Sequence, residues 1–305
     1  MRILLIGGTR FVGLAIAREA IARGHDVSVF HRGSTVPANL DGATFLHGDR
    51  DADTSALQDT DSRWDATIDV CAYRPHQVDS LAAALSGRGG RHVFISTVSV
   101  YDSEIPAGCD ETAPLASLEP LNDLDPATCD ITGETYGPLK VMCEERVRAL
   151  HSDALIIRPT YVIGPDDYTM RFPTWVQRVS QGGLVQAPMP GDNAMQYVDA
   201  RDQAQFVVSL IERGMWGAFH TPAPAITFEQ MITTIVNAVG PVGTHVEWVS
   251  PDEDTLQPLD FPLWSGPQPT GMMAMNPAAA IAAGLTFRPL EQTVRDTAAW
   301  LARRG

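Results

Sequence analysis

Tyr136 and Lys140 lie four residues apart in the segment Tyr136-Gly137-Pro138-Leu139-Lys140. On a helix this spacing brings both side chains to one face, where the ammonium lowers the pKa of the phenol. The phenol can then exchange a proton near neutral pH. Lys140 is the single lysine of the chain, against six tyrosines. A chance match to the pattern is therefore on the order of one in fifty. We predict a proton-transfer pair on a helix whose first turn contains Pro138.

A second group of candidate residues consists of hydroxyls that follow a predicted strand over residues 92–96. Ser96, Thr97 and Ser99 lie in the segment Phe94-Ile95-Ser96-Thr97-Val98-Ser99-Val100-Tyr101. Ligands of open α/β sheets bind outside the carboxyl ends of the strands, so these hydroxyls face the expected site. One of the three could donate a hydrogen bond to a reacting carbonyl oxygen. Ordinary capping of a strand end by Ser and Thr is the alternative explanation.

A third group is the glycine-rich loop Gly7-Gly8-Thr9-Arg10-Phe11-Val12-Gly13 between the first strand and the first helix. Glycines in this position let the backbone approach a diphosphate, and the helix start offers free N–H groups. We predict a dinucleotide site that includes Gly7, Thr9, Arg10, Phe11 and Gly13. A strand–helix turn that merely requires glycine is the simpler alternative.

The end of the second strand suggests which dinucleotide is bound. An NAD site usually has Asp or Glu there for the ribose hydroxyls, whereas arginine accommodates a 2′-phosphate. Here the strand ends in His31 and Arg32 without a carboxylate, and Arg10 can reach the same corner. We therefore favour NADP(H) over NAD(H), with Arg32 and Arg10 on the phosphate. Arg32 as a solvated turn residue is the alternative.

The elements that must position these residues alternate between strand and helix. Short apolar runs predict strands over 3–6, 27–30, 44–47, 66–70, 92–96 and 154–157, and helical spacing predicts helices over 12–23, 78–85 and 137–150. This alternation indicates an α/β protein with a Rossmann-type doubly wound parallel sheet. We predict a dinucleotide-binding domain over 1–163 and a smaller substrate-binding lobe over 164–305, some of whose segments return to the main sheet.

Substrate-binding candidates lie in the irregular segments that face the carboxyl edge of the sheet. The long acidic segment 102–135 separates a strand from a helix, and a loop of that length is usually functional. We take as candidates Tyr101, Arg171, Phe172, Trp175 and the segment 261–264. Their aromatic character and single arginine suit an amphipathic or anionic molecule. Core packing is an equal alternative for each of them, and for the Phe and Trp residues it is the favoured interpretation.

Composition excludes several other classes of protein. The net charge of −15 disfavours nucleic acid and anionic membrane as partners. The four cysteines form no C-x-x-C pair and no zinc-ligand spacing, so we expect reduced thiols and no metal. No apolar run is long enough for a signal peptide or a membrane span. We therefore expect a cytoplasmic protein with a small-molecule substrate, and a homodimer is one assembly left open.

Together these motifs resemble the short-chain dehydrogenase/reductase superfamily, in its extended and atypical branch, also called the NAD-dependent epimerase/dehydratase family. The Gly-Gly-Thr-Arg-Phe-Val-Gly loop is similar to an atypical subgroup. The matching segments fall in the expected order and cover nearly the whole chain. They are the glycine loop, His47-Gly48-Asp49-Arg50, the Ser-Thr strand, Tyr136 with Lys140, Ile157-Arg158-Pro159-Thr160, Gln196-Tyr197-Val198-Asp199-Ala200-Arg201-Asp202 and the C-terminal helices.

The resemblance implies a role for each of these positions. Tyr136 would be the catalytic acid/base, Lys140 would support it and bind the nicotinamide ribose, and Thr97 would take the place of the catalytic Ser/Thr. Asp49 and Arg50 would border the adenine, and Pro159 with Thr160 the nicotinamide.

Three functions follow from these expectations. The first is an NADP(H)-dependent oxidoreductase acting on a carbonyl or hydroxyl of a small metabolite. The second is a sugar-nucleotide-type epimerase or dehydratase that retains NAD. The third is a non-catalytic NAD(P)-sensing protein, which the presence of Tyr136 and Lys140 disfavours.

Overall fold

The computed structural model of the chain describes residues 1–35, 40–252, 260–266, 268 and 270–304. In chain order its strands are β1 (Arg2–Ile6), β2 (Asp26–His31), β3 (Ala43–His47), β4 (Ala66–Asp69), β5 (Arg91–Ile95), β6 (Leu155–Arg158), β7 (Tyr161–Ile163), β8 (Leu184–Pro188), β9 (Ala194–Met195), β10 (Tyr197–Asp199), β11 (Gly217–His220), β12 (Ile226–Thr227) and β13 (His245–Val249). Its helices are α1 (Phe11–Ala22), α2 (Ser55–Gln58), α3 (Pro75–Leu85), α4 (Gly133–Leu150), α5 (Arg171–Ser180), α6 (Ala200–Glu212), α7 (Phe228–Val239), α8 (Ala278–Ala282) and α9 (Leu290–Ala302).

Seven strands form one parallel sheet in the order β11-β6-β5-β4-β1-β2-β3. The run Ile3-Leu4-Leu5-Ile6 of β1 is buried on both faces, as its continuous apolar character predicts. Ile3 and Leu5 pack in the cluster that contains α1 and α6, whereas Leu4 and Ile6 pack with α3. Helices therefore cover both faces, which confirms the predicted doubly wound α/β fold.

The order of the sheet creates a crevice at the carboxyl edge beside β1. From β1 the chain passes through α1 to β2 on one side, and β4 and β5 lie on the other side. Such a reversal of strand order is where ligands bind in doubly wound sheets. The glycine loop after β1 and the Ser-Thr segment after β5 both open into this crevice.

A second hydrophobic core lies in the C-terminal part of the chain. Helices α5, α7 and α9 pack around Trp175, Phe228 and Val294, together with the two-stranded sheet of β8 and β13. One strand from this half, β11, pairs with β6 at the edge of the main sheet. The division into domains at residue 163 stays a prediction. Among the described residues, no helix is both long and apolar enough to cross a membrane.

Helix α4 begins four residues earlier than the sequence pattern predicts. Thr132 and Thr135 form a reciprocal capping box, in which the Thr132 hydroxyl accepts from the Thr135 N–H at 3.3 Å and the Thr135 hydroxyl accepts from the Thr132 N–H at 2.9 Å. Pro138 therefore lies in the second turn, not the first. The expectation of a first-turn proline was wrong, and the helix continues with the one backbone hydrogen bond at Pro138 absent.

Candidate active site

The glycine loop packs so closely that two of its positions have no room for a side chain. Gly7 has a φ of +87°, and a Cβ there would lie 2.9 Å from Cys71 Sγ. A Cβ at Gly13 would lie 2.2 Å from the carbonyl oxygen of Gly7. The absence of these side chains lets the first turn of α1 lie against the loop. The N–H groups at a helix start have no partner within the helix, so this turn can bind a diphosphate.

A cavity of about 580 Å³ runs along the carboxyl edge of the sheet from this loop. Its volume falls in the range of small-molecule and cofactor sites. Every residue predicted to act in catalysis or cofactor binding lines it, and so does one of the substrate candidates: Gly7, Thr9, Arg10, Phe11, Gly13, Arg32, Asp49, Arg50, Thr97, Tyr136, Lys140, Pro159, Thr160 and Arg171.

Two observations indicate that this cavity fits a dinucleotide. The Thr160 hydroxyl is buried and has no hydrogen-bond partner in the described part of the chain, although it borders the cavity. A buried hydroxyl without a partner is costly, and a bound polar ligand would relieve that cost. The second observation is the close-packed turn at Gly7 and Gly13, which a Cβ would block.

Two arginines lie where β2 ends. Arg10 donates to the Thr35 hydroxyl from Nη2 at 2.6 Å and from Nε at 3.1 Å, and its guanidinium lies 5.1 Å from the centre of the Tyr168 ring. Arg32 is exposed on the border of the cavity. The last residue of β2 is His31, whose Nδ1 accepts the Gly33 N–H at 3.0 Å. This corner of the cavity therefore has cations, with no carboxylate at the end of the strand.

Arg50 forms a buried ion pair below the glycine loop. It donates to both carboxylate oxygens of Asp69, at 2.8 and 2.9 Å, and to the carbonyl of Gln77 at 2.9 Å. Burial opposes ionisation of Asp69, but the charge and hydrogen bonds of Arg50 hold the pKa of this carboxyl below its ordinary value. Asp69 also accepts the N–H groups of Cys71 and Ala72 at 3.1 and 3.0 Å. The pair therefore fixes the backbone after β4.

Thr97 and Tyr136 meet at the other end of the cavity. The Thr97 Oγ1 accepts the Ser99 N–H at 3.1 Å and lies 3.2 Å from the Ser99 Oγ. Burial raises the pKa of Tyr136, whereas its hydrogen bond with Thr97 and the charge of Arg171 act in the opposite direction. Of the three candidate hydroxyls, Ser96 donates to the Glu144 carboxylate at 2.7 Å. Thr97 is thus the candidate that contacts Tyr136.

Lys140 is buried and anchored by backbone carbonyls. Its Nζ donates to Ala72 O at 2.9 Å and to Ile95 O at 2.8 Å. Ala72 follows the end of β4, and Ile95 is the last residue of β5. The same nitrogen lies 4.0 Å from the centre of the Phe94 ring. Burial lowers the pKa of Lys140 to about 8. Two of the three ammonium protons are engaged, so one is available to a group in the cavity.

A buried polar network behind the cavity was not foreseen from the sequence. Glu144 binds Arg158 through both carboxylate oxygens, at 2.9 and 2.6 Å, and accepts the Ser96 hydroxyl. Arg158 also contacts the Tyr101 hydroxyl, which lies 2.7 Å from His220 Nε2. Burial opposes ionisation of Glu144, but the hydrogen bond and charge of Arg158 keep its pKa below the ordinary value. This network joins α4 to the ends of β5, β6 and β11.

Several predicted substrate residues do not line the cavity. Tyr101 belongs to the buried network, and Phe172 and Trp175 have no exposed surface and pack in the second core. Trp175 donates its indole N–H to the carbonyl of Pro262 at 2.6 Å. The segment 261–264 packs in the same core. The Phe and Trp residues thus pack in the core because the apolar face of α5 is turned towards α7 and α9, and a substrate-binding role for these candidates stays a prediction. Arg171 alone among the candidates borders the cavity.

Sequence reasoning missed Tyr73, which lines the cavity beside the catalytic candidates. The centre of its ring lies 6.2 Å from that of Tyr136 and 5.6 Å from Lys140 Nζ. The signal was its position just after β4, at the same carboxyl edge as Thr97. Over the described ranges, no group of three or more His, Cys, Asp or Glu residues is arranged to hold a metal ion.

Comparison with solved structures defines the class of fold. The enzyme WbmH of Bordetella bronchiseptica in complex with NAD+ aligns with a TM-score of 0.73 at 18% identity, covering 100% of this chain and 99% of that one. The UDP-glucose 4-epimerase of Thermus thermophilus in complex with NAD aligns with a TM-score of 0.69 at 17% identity, covering 99% of both chains. The fold is therefore shared along the full length of these proteins.

Two relatives are similar in sequence. The chloroplast stem-loop binding protein of 41 kDa b from Arabidopsis thaliana is 25% identical over 225 residues, which are 69% of this chain and 55% of the relative. The 2-alkyl-3-oxoalkanoate reductase of Stenotrophomonas maltophilia is 28% identical over 212 residues, 60% of this chain and 57% of the relative. The chain thus spans about half the length of the curated relatives it matches.

The family model of the NAD-dependent epimerase/dehydratase family matches residues 76–217. This match, over slightly less than half of the chain, agrees with the predicted resemblance to that family. The similarity of the glycine loop to an atypical subgroup stays a prediction.

Proposed function

We propose that the chain is an NADP(H)-dependent oxidoreductase that transfers hydride between nicotinamide and a carbonyl or hydroxyl carbon of a small metabolite. The observation that carries this proposal is that Tyr136, Thr97 and Lys140 border the same cavity as the glycine loop. Nucleotide-binding and proton-transfer groups thus share one continuous site. When bound, the nicotinamide supplies or takes up the hydride.

The residues around the cavity would hold the cofactor by contacts of different kinds. The loop from Gly7 to Gly13 would bind the diphosphate through backbone N–H groups. The third N–H of the Lys140 ammonium would donate a hydrogen bond to a ribose hydroxyl, and the unpaired Thr160 hydroxyl would bind the nicotinamide end. Asp49 and Arg50 would border the adenine, with Arg50 held in place by Asp69.

Tyr136 would move the proton. In the direction of reduction, its hydroxyl donates a hydrogen bond to the substrate carbonyl oxygen and transfers the proton as that oxygen becomes a hydroxyl. Thr97 would donate a second hydrogen bond to the same oxygen, which stabilises the charge that develops there. The Lys140 ammonium, one turn further along α4 and in the same cavity, would favour the ionised phenol left behind, because a nearby cation stabilises a phenolate.

The preference for NADP(H) over NAD(H) is part of the proposal. Arg32 is exposed at the end of β2, and Arg10 lies beside it with its guanidinium oriented by Thr35. A 2′-phosphate between these two side chains would gain charge-assisted hydrogen bonds. The same corner offers the ribose hydroxyls of NAD(H) no carboxylate from β2, so their usual partner is absent from that strand.

A second candidate function is an epimerase or dehydratase that keeps NAD bound and recycles the hydride. It is favoured by the two fully aligned structures above, which are an NAD+ complex and an NAD complex of a 4-epimerase. The 2-alkyl-3-oxoalkanoate reductase favours net carbonyl reduction instead. Nucleotide released by denaturing the purified protein separates the two: stoichiometric NAD(H) supports the epimerase, and its absence supports the reductase.

The proposed function is tested by following NADPH oxidation with a panel of carbonyl compounds. We expect turnover by the wild type, and a loss of about 10²- to 10⁴-fold in kcat for Tyr136→Phe with unchanged NADPH affinity. Tyr197→Phe removes a phenol hydroxyl in the second core and should stay close to wild type. Turnover that survives in Tyr136→Phe would refute the assigned role, and absence of turnover with every compound would favour a sensing protein.

A further inference from the structure

In the described part of the chain, four arginines line the cavity, and they differ in whether a carboxylate is paired with the guanidinium. Arg50 is paired with Asp69, while Arg10 and Arg32 lie at the end of β2. Arg171, the first residue of α5, lies at the end that contains Tyr136. The groups around its guanidinium decide which anion Arg171 could bind.

The described residues leave the outer edge of the Arg171 guanidinium without an acceptor. Its Nε donates to the Thr169 Oγ1 at 3.2 Å, and this hydroxyl donates in turn to Asp167 at 2.5 Å. Asp167 is fully buried and accepts the N–H groups of Thr169 and Phe172, so it belongs to the turn before α5. Within the described ranges Arg171 forms no ion pair, and its two terminal nitrogens form no hydrogen bond. The guanidinium is thus oriented through its Nε, and its two terminal nitrogens have no acceptor among the described residues.

The groups around this cation are three phenols and the Asp167 carboxyl, to which it is linked through the Thr169 hydroxyl. The guanidinium carbon lies 5.9 Å from the centre of the Tyr161 ring. Its charge acts to lower the pKa of Tyr136, Tyr73 and Tyr161, although burial raises each of these pKa values overall. The three phenols are therefore neutral at pH 7 and do not balance the arginine. The terminal nitrogens of Arg171, which borders the same cavity as Tyr136, are therefore available to an anionic substrate.

We propose that Arg171 binds a carboxylate of the substrate, so that the substrate is an oxo or hydroxy acid. This inference rests on the proposed function, in which the carbonyl oxygen lies at Tyr136 and Thr97. The planar fork of arginine matches a carboxylate with two parallel hydrogen bonds. One guanidinium balances the single charge of a carboxylate. Arg171 would therefore select acids over the corresponding esters and amides and fix the reacting carbon near Tyr136.

Binding tests the inference without requiring turnover. The protein is titrated calorimetrically with benzoate and with benzamide, its neutral isostere, both alone and saturated with NADP+. We expect benzoate to bind at least about tenfold more tightly, a gap of about 1.4 kcal/mol. Arg171→Gln should remove this preference and Arg171→Lys should retain part of it, with NADPH affinity unchanged in both. The control Arg295→Gln makes the same charge change on an exposed face of α9 and should behave as wild type.

Equal binding of benzoate and benzamide by the wild type, no binding of benzoate, or a preference that survives in Arg171→Gln would each overturn the inference. A kinetic arm compares 3-oxo-3-phenylpropanoate with its methyl ester. We expect Arg171→Gln to raise KM for the acid by about 10- to 100-fold and to change KM for the ester by less than about threefold. If benzoate binding depends on Arg171 but no carbonyl compound is reduced, the proposed function fails while the anion site stands.

Discussion

At the scale of single residues, the environment of Lys140 is the most unusual. An ammonium that is 2% exposed has two backbone carbonyls as partners and no carboxylate within ion-pair distance in the described ranges. Taking a charge out of water without an opposite charge is costly, which is why burial lowers its pKa to about 8. The cation is thus retained at neutral pH and lost under mildly alkaline conditions.

This environment predicts a pH dependence of stability for the cofactor-free protein. The folded pKa of about 8 lies below the ordinary value of 10.5, so between these values the unfolded chain holds a proton that the folded chain has released. The contribution of Lys140 therefore makes the protein more stable as pH rises through this window, by about 3 kcal/mol at most. Urea unfolding of wild type and Lys140→Met from pH 7 to 10.5 measures the difference. Parallel curves would contradict the burial of this charge.

Some residues of the site could be predicted from the sequence alone, and others could not. Tyr136, Lys140 and Gly13 could be predicted because their spacing has a direct physical meaning on a helix or in a tight turn. For Phe172 and Trp175 the sequence left both a core and a pocket open, because a large apolar side chain looks the same in either place. Arg171 differs from them, because a charged side chain is rarely buried in an apolar core.

At the scale of elements, α4 connects the chemistry to the rest of the fold. Tyr136, Lys140 and Glu144 follow one another at intervals of four along one face of the helix. Glu144 is bound to Arg158 of β6 and to Ser96 after β5. This attachment fixes the height of α4 over the sheet, and with it the positions of Tyr136 and Lys140 relative to Thr97.

Glu144→Gln is predicted to destabilise the protein strongly, because it leaves Arg158 as a buried charge without its carboxylate. Breaking a buried ion pair by removing one partner costs about 3 to 5 kcal/mol. Glu145→Gln changes the same charge at the next, exposed position of α4 and should alter the free energy of unfolding by less than about 0.5 kcal/mol. Chemical denaturation of both variants at pH 7 measures the effect, and equal stabilities would disprove a structural role for the pair.

Gly13→Ala is predicted to reduce dinucleotide affinity, because its Cβ would lie 2.2 Å from the Gly7 carbonyl oxygen and push α1 away from the loop. We expect a loss of at least about tenfold in affinity, or about 1.4 kcal/mol. Gly133→Ala is the control, since a Cβ there meets nothing within 4 Å. Fluorescence titration with NADPH compares the two variants. Wild-type affinity in Gly13→Ala would place the diphosphate elsewhere.

Most elements could be read from the sequence, and the errors have local causes. Continuous apolar runs such as Ile3 to Ile6 mark strands buried on both faces. The start of α4 was placed too late because Pro138 and Gly137 resemble a helix start, whereas the capping box of Thr132 and Thr135 starts the helix earlier. The buried network of Glu144, Arg158 and His220 joins residues far apart in the chain, and no local pattern predicts it.

At the scale of the whole molecule, the order of the strands assembles the cavity. The glycine loop follows β1, Arg32 follows β2, and Thr97 follows β5, while Arg171 comes from the second core. These positions meet only because β4 and β5 lie beside β1 in the sheet. The alternation of elements predicts a doubly wound sheet, but it does not predict the relative order of the strands.

The charge of the whole molecule sets the cavity apart from its surroundings. The chain carries a net charge of −15, yet Arg10, Arg32 and Arg171 border the cavity without forming an ion pair in the described part of the protein. A local cluster of cations in a cleft attracts small anions even where the overall field repels them. An anionic cofactor at one end and an anionic substrate at the other would both fit this distribution.

Titration of the cofactor-free protein with NADPH and with NADH, followed by tryptophan fluorescence, tests the central proposal most directly. We predict that NADPH binds at least about tenfold more tightly, a gap of about 1.4 kcal/mol. In the double variant Arg10→Gln/Arg32→Gln the two affinities should differ by less than about threefold, whereas Arg295→Gln should keep the wild-type preference. Equal or tighter binding of NADH by the wild type would contradict the 2′-phosphate site, and no binding of either nucleotide would contradict the dinucleotide cavity itself.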